Sequence, residues 1–268
     1  TLTLPSNFNF PVGNSYSSVT LFPGTTISVL NLHTNVRNSN NAQNSYFWDC
    51  KIDELHIGED VTQIGSFAFF GQNFTSVSFD GENNIERLGA SAFASCVSLT
   101  NEFVNELLRN APDLGGLTFS GCDVTSITYL GNTMVPAFRN CQNLKTLNIP
   151  NVTSLYPAAF EGCSSLETIN GTNHLDLVKS VPYMCFKDCS SLKYLSLPEV
   201  QSIESNAFVG CASLENVYLT SKCTNVDKAA FDNFSVLSIE GNTQSGEYVI
   251  LGSQLVCANK EIETAVIP

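Results

Sequence analysis

Basic residues are scarce in this chain. Lys and Arg together number 12 of 268 residues, against 25 Asp and Glu, and nowhere do they cluster. A net charge of −13 without a basic patch excludes a nucleic-acid partner and docking on an anionic membrane, both of which need a positive footprint. Charged residues of either sign make up only 14%, so Asn, Ser and Thr must cover most of the surface. Long apolar runs are lacking too. No stretch approaches the ~18 residues of a membrane-spanning helix. The opening "TLTLPSNFNF" lacks the charged-then-apolar layout of a signal peptide, so the chain reads as mature or trimmed.

Chemistry-bearing patterns are equally thin. The three histidines, His33, His56 and His174, fall in different parts of the chain, and none is expected near a Cys or Ser that it could activate. His174 and Asp176 read as a solvated insertion between Asn170 and Val178, and "DGEN" at Asp80 to Asn83 reads as a turn, without the further ligands a calcium loop requires. There is no phosphate loop, no dinucleotide fingerprint and no Cys-x-x-Cys zinc pair. The expectation is therefore no catalytic residue, no cofactor and no metal.

What is present is a repeat. Phe-x-x-Cys occurs at Phe47/Cys50, Phe93/Cys96, Phe119/Cys122, Phe138/Cys141, Phe160/Cys163, Phe186/Cys189 and Phe208/Cys211. Phe69 with Gln72 and Phe231 with Phe234 add two variant copies. From Phe to Phe the steps are 22, 24, 26, 19, 22, 26, 22 and 23 residues, a period that marks a leucine-rich-repeat solenoid. In "FRNCQNLKTLNIPNVTSLYPAAFEGC", Leu144, Leu147 and Ile149 follow L-x-x-L-x-I, so the last two belong to a strand with one buried side, and Pro150 ends it. Val152 and Leu155 form a second short apolar pair before Phe160 drops into the interior. No unit can bury its apolar side alone, so stacking must close the core.

Seven of the ten cysteines sit at the repeat position and are expected as buried, free thiols stacked from coil to coil. Neighbouring stacked residues have parallel Cα–Cβ vectors, which suits a disulfide poorly. Cys185, Cys223 and Cys257 lie outside the ladder, and Cys223 with Cys257 is the one candidate pair for a bridge.

The combination of Leu/Ile-Pro after the strand, V-x-x-I before Ala-Phe, and then Cys, as in "VTQIGSFAF", "IERLGASAF" and "VQSIESNAF", resembles the BspA-like (Treponema-type) leucine-rich repeat family over about residues 46–240. The resemblance implies a right-handed solenoid of mostly short parallel strands, with an irregular or short helical convex side. It also implies a non-enzymatic, surface-exposed or secreted protein of anaerobic bacteria or protozoan parasites, associated with adhesion to host or matrix proteins. Residues 1–45 read as an amino-terminal cap with one degenerate repeat. Residues 241–268 read as a β-hairpin, Tyr248 to Leu251 turning into Leu255 and Val256, that is either a connector of the kind that joins repeat blocks in that family or a carboxy-terminal cap. The array looks cut from a longer one.

Two departures from the pattern carry expectations. After Cys96 the sequence "NEFVNELLRNAPDLGG" predicts a helix from Asn101 to Ala111, capped by Asn101, on the convex side. The 19-residue step to Phe138 predicts a pinched coil. Four N-x-[ST] sequons occur, at Asn73, Asn151, Asn170 and Asn233, of which Asn73 and Asn233 adjoin the buried repeat position, where a glycan would fit poorly.

With Leu147 and Ile149 inward, Thr146 and Asn148 point out, and each coil offers such a pair. In order these are Glu54/His56, Ser76/Ser78, Ser126/Thr128, Thr146/Asn148, Thr168/Asn170, Tyr194/Ser196 and Asn216/Tyr218. Small hydroxyl residues suit any exposed strand, so this row is a candidate and no more. Its two tyrosines offer an apolar body with a polar tip, a type favoured at recognition surfaces. The candidate contact residues are therefore Tyr194, Asn216 and Tyr218, with Thr168, Thr146 and Asn148 beside them. The partner would be an extracellular or host protein, or a glycan. The alternative is a structural spacer that self-associates end to end through strand edges exposed at the solenoid's ends.

Overall fold

The structure, a computed structural model, describes residues 1–11, 20–110 and 112–232 in full and, further on, the backbone of 237–239, 248–251 and 254–258. It is a parallel β-solenoid of about nine turns with little helix. The chain begins with β1 (Leu2–Leu4) and β2 (Thr26–Leu32). It continues with β3 (Lys51–Gly58) and β4 (Gln63–Ile64), then β5 (Ser76–Asp80) and β6 (Arg87–Leu88). A helix, α1 (Asn101–Leu108), precedes β7 (Asp113–Leu114). The following coils alternate a longer and a two-residue strand: β8 (Ser126–Thr128) and β9 (Thr133–Met134), then β10 (Thr146–Asn148) and β11 (Ser154–Leu155). After them come β12 (Thr168–Ile169) and β13 (Ser180–Val181), β14 (Tyr194–Leu197) and β15 (Ser202–Ile203), and β16 (Asn216–Leu219) and β17 (Asn225–Val226). β18 (Leu237–Ile239) ends the series, and β19 (Tyr248–Leu251) pairs antiparallel with β20 (Gln254–Ala258), as the hairpin pattern predicts.

The repeated Phe and Cys explain how the coils stay in register. Phe47, Phe69, Phe93, Phe119, Phe138, Phe160 and Phe186 are all but fully buried, and the rings stack in two runs, Phe47 to Phe138 and Phe160 onward, at centroid distances such as 5.3 Å (Phe47–Phe69), 5.4 Å (Phe119–Phe138) and 5.5 Å (Phe160–Phe186). Each ladder cysteine from Cys96 onward donates its S–H to the carbonyl of the Phe one coil earlier. Cys96 reaches Phe69 O at 3.0 Å, Cys122 reaches Phe93 O at 3.1 Å, and Cys141 reaches Phe119 O at 3.1 Å. Cys163, Cys189 and Cys211 do the same to Phe138, Phe160 and Phe186. A small apolar side chain with one weak donor is what this position requires. Gln72, at the variant position, meets the same demand with its amide: Nε2 donates to Phe47 O at 3.2 Å and to Cys50 O at 2.9 Å, while Oε1 accepts from Ile52 N at 3.1 Å.

The backbone around each Phe is shaped to let the ladder close. The residue two after it has positive φ in every coil from Asp49 (61°) through Gly121 (71°) and Gly162 (76°) to Gly210 (79°). The residue two before it is also left-handed at Phe67, Ser91, Leu117, Ala158, Met184 and Asn206. Proline cannot adopt that conformation, so at Pro136 the chain turns more tightly, with Ala137 N bonded to Val135 O at 2.6 Å. The tight turn takes up one residue of the 19-residue step; the segments from Phe119 to β8 and from β8 to β9 are each one residue shorter than in the next coil as well. Coils approach closely nearby: a Cβ on Gly89 would lie 2.3 Å from the amide nitrogen of Ser66, so only glycine fits there.

Nine cysteines among the described residues are free thiols, including Cys223. The Cys257 side chain lies outside the described residues. Burial pushes the Cys96, Cys141 and Cys211 thiols up to about 12, the opposite of what a nucleophilic cysteine needs.

Two breaks divide the face built by the longer strands. The parallel sheets there are β1-β2-β3-β5, then β8-β10-β12, then β14-β16-β18. At the first break the expected helix is present but occupies the strand position itself, directly after Leu99, rather than the convex side. Thr100, not Asn101, caps it, its Oγ1 accepting from Phe103 N at 3.2 Å. Asn101 is then free to do something else, together with Asn105 one turn on. Asn101 Oδ1 accepts from Thr125 N (2.8 Å) and Ser126 N (3.2 Å); Asn105 Oδ1 accepts from Thr128 N (2.8 Å), and its Nδ2 donates to Ser126 O (3.2 Å). Two carboxamides spaced i, i+4 thus replace the peptide groups of the missing strand.

Candidate functional site: the strand face

The second break changes the candidate row. Asn170 does not continue β12 as an outward strand residue; it enters a turn with φ of 50°. Its Oδ1 accepts from Ile149 N at 2.6 Å and its Nδ2 donates to His174 O at 2.9 Å. The segment 170–177 is also not a purely solvated insertion. Asn173 and Leu175 are buried, Asn173 bonds to Ile169 N and Glu167 O, and His174 makes a parallel bridge to Ser196. His174 therefore takes the place of a strand residue between β12 and β14. Ser196, expected to point into solvent, is only 9% exposed because this segment and Tyr218 flank it.

The other candidates lie in two groups. Thr146, exposed, faces Thr168, half-buried, in the register of β10 and β12, with half-buried Asn148 further along the same strand. Across the break, Tyr194 is 53% exposed and in register with exposed Asn216, and half-buried Tyr218 is in register with Ser196. Tyr194 and Tyr218 are thus diagonal neighbours, a relation that puts Cα atoms about 7–8 Å apart and side chains within reach of one ligand. The structure brings Tyr194, Asn216 and Tyr218 together and separates them from Thr146, Asn148 and Thr168 by the 170–177 segment. His174, absent from the expected row, stands beside the tyrosine group; its signal was the interruption of the repeat after Ile169.

One expectation about chemistry is corrected. His56 does have a serine beside it: Ser78 Oγ lies 3.2 Å from Nδ1, with Glu54 3.6 Å from Nε2 and Asp80 3.5 Å from Nδ1. Ser78 and Asp80 compete for the same ring nitrogen, however. The neighbouring strand amides lie in the plane of the sheet, so none is aimed up at an oxyanion above the histidine. The group forms a polar contact between β3 and β5 rather than a nucleophile with its base.

Elsewhere, a groove of about 510 Å³ lies at the turns beside Glu59, Asp60, Glu86 and Asn110. Among the described residues no His, Cys, Asp or Glu group has the geometry to hold a metal ion, and no helix is long and apolar enough to cross a membrane. Asn73 is exposed despite adjoining the buried position, and Asn151 is exposed with its Nδ2 bonded to Leu130 O, whereas Asn170 is held at both ends of its carboxamide. Asn233 lies outside the described residues.

Three of the solved structures with similar chains are the following. A leucine rich cell surface protein from Faecalibacterium prausnitzii A2-165 is 15% identical over 80% of this chain and 73% of that one, with a TM-score of 0.41. A leucine-rich repeat protein from Bacteroides ovatus ATCC 8483 is 20% identical over 79% of this chain, which spans 63% of that protein, with a TM-score of 0.49. The pneumococcal vaccine antigen PcpA is 13% identical over 84% and 73%, with a TM-score of 0.37. No curated protein matches the chain. The BspA type leucine rich repeat region, in six copies, matches residues 18–135 and 118–238. With that match spanning most of the solenoid and the Phe-Cys ladder inside it, the chain belongs to the BspA-type leucine-rich repeat family.

Proposed function

We propose that this chain is a non-enzymatic binding protein of the cell surface or extracellular space, and that it holds a protein or glycan partner on the strand face centred on Tyr194, Asn216 and Tyr218. The observation that carries the reading is the pairing of a largely exposed tyrosine with a second tyrosine diagonal to it on adjacent, hydrogen-bonded strands. Side chains held on a rigid sheet lose little freedom on binding, and an aromatic face with hydroxyl and amide neighbours suits a sugar ring or a loop of protein. The acidic composition and scarcity of cations support a partner that is neither nucleic acid nor an anionic membrane. Thr146, Asn148 and Thr168 would form an outlying polar patch, with His174 between the two. Screening the purified chain against immobilised extracellular matrix proteins and a glycan array tests the reading. The paired variant Tyr194→Ala with Tyr218→Ala should bind the retained ligand at least tenfold more weakly at an almost unchanged melting temperature. Unaltered affinity in that variant would move the site elsewhere.

A further inference from the structure

The two edges exposed by the first break in the strand face are finished differently. In a parallel ladder, one residue turns both backbone groups toward one neighbouring strand and the next residue turns them toward the other. On the β8 side, the groups of Ser126 and Thr128 that face the break are taken up by Asn101 and Asn105. On the β5 side, Ser76, Ser78 and Asp80 face β3, which directs the amides and carbonyls of Val77 and Phe79 into the break. Among the described residues β5 has β3 as its only strand neighbour, and no side chain of α1 dresses this edge as the two asparagines dress the other. Side-chain burial shows the same asymmetry. Val77 and Phe79 are only half-buried, whereas Leu55 and Ile57, the residues in register with them on β3, are wholly enclosed.

The surroundings shape this edge into a one-sided slot. Phe103 of α1 stacks on Phe79 at 5.5 Å and closes the floor. Asn83 Nδ2 donates to the Glu106 carbonyl, and Asn110 Nδ2 to the Asn83 carbonyl at 2.6 Å, which ties off the end near the helix C-terminus. The outer rim carries three carboxylates, Glu54, Asp80 and exposed Glu102, with the His56 imidazole between the first two. Two cations on the adjoining elements are engaged with their own carboxylates, Lys51 with Asp53 and Arg109 with Glu106.

We propose that the Ser76–Asp80 edge, walled by α1, takes up an extended peptide segment of a partner as an added strand, and that this segment alternates apolar with basic residues. Main-chain bonds to Val77 and Phe79 supply the attachment. Apolar side chains on one side of the added strand cover Val77, Phe79 and Phe103, while basic ones on the other side meet the acidic rim. This site is independent of the tyrosine face.

The test measures fluorescence anisotropy at low salt with fluorescein-labelled (Lys-Val)4 amide, with (Glu-Val)4, and with (Lys-Val)4 N-methylated at alternate amides in each of the two registers. Binding of (Lys-Val)4 is expected, at least tenfold tighter than (Glu-Val)4, with one of the two N-methylated registers weakened at least tenfold. Val77→Pro removes the outward N–H without touching the ladder to β3, and should weaken binding to the same degree while leaving the circular dichroism spectrum unchanged. Independently of that variant, the Val77 and Phe79 amides should exchange with deuterium at least tenfold more slowly when (Lys-Val)4 is present. The proposal is overturned by absent binding, by equal binding of both N-methylated registers and the parent, by a folded Val77→Pro that binds normally, or by unchanged exchange at Val77 and Phe79.

Discussion

Replacing both Asn101 and Asn105 by alanine removes five hydrogen bonds at once: those accepted from Thr125 N, Ser126 N and Thr128 N, and those given to Thr125 Oγ1 and Ser126 O. The groups are partly exposed, so water compensates in part, and each bond is worth about 0.5–1 kcal/mol. Two alanines in a helix recover about 1 kcal/mol of propensity. The net cost is therefore about 1.5–4 kcal/mol, concentrated at the junction between α1 and β8. Hydrogen exchange resolves this locally: the Ser126 and Thr128 amides should exchange about one to two orders of magnitude faster, with those of Leu195 and Val217 unchanged. Asn105→Asp keeps an acceptor for Thr128 N but sets a carboxylate oxygen against the Ser126 carbonyl, so it should behave like alanine at that carbonyl. If the double alanine variant leaves exchange at Ser126 and Thr128 as in the parent, the carboxamides do not stand in for a strand and the reasoning fails.

Other outcomes follow from the same geometry. Phe160→Ala empties a fully buried ring position and should cost about 3–5 kcal/mol in chemical denaturation; a loss under ~1 kcal/mol would mean that the column is not core. Gln72→Leu leaves Phe47 O, Cys50 O and Ile52 N without their partner in the interior and should cost about 2–4 kcal/mol, more than Gln72→Cys, which restores the bond to Phe47; equal losses would contradict that role. Because burial raises the Cys96, Cys141 and Cys211 thiols to about 12, the unfolded chain releases these protons first as pH rises. Stability is full below the unfolded thiol value near ~8.5 and falls by about 1.4 kcal/mol per pH unit per thiol above it. Urea midpoints that stay level from pH 8 to pH 10 would refute this.

The solenoid was legible because one bulky residue and one small donor recur at a spacing that only stacking explains. The helix at Asn101–Leu108 was legible from its apolar spacing, though its place in the coil was not. Asparagines made the difference. Asn101, Asn105, Asn170 and Asn173 look in sequence like surface residues, yet each accepts a bond from a backbone amide that would otherwise belong to a strand. Nothing in a single sequence separates an asparagine facing water from one facing a neighbouring coil, so both breaks in the strand face, the burial of Ser196 and the open edge of β5 appeared only in three dimensions. The tyrosine pair was found by strand alternation, which fixes facing without fixing what crosses between sheets.

A continuous interior column of Phe and Cys is what this fold depends on, and alkylation mapped residue by residue by mass spectrometry, without reductant, tests it most directly. Cys141, Cys163 and Cys189 should resist alkylation in the native protein and react fully in denaturant, as should Cys96 and Cys122, while half-buried Cys50 should react sooner. Rapid native labelling of Cys141, Cys163 and Cys189, or two or fewer reactive thiols in denaturant, would contradict the ladder.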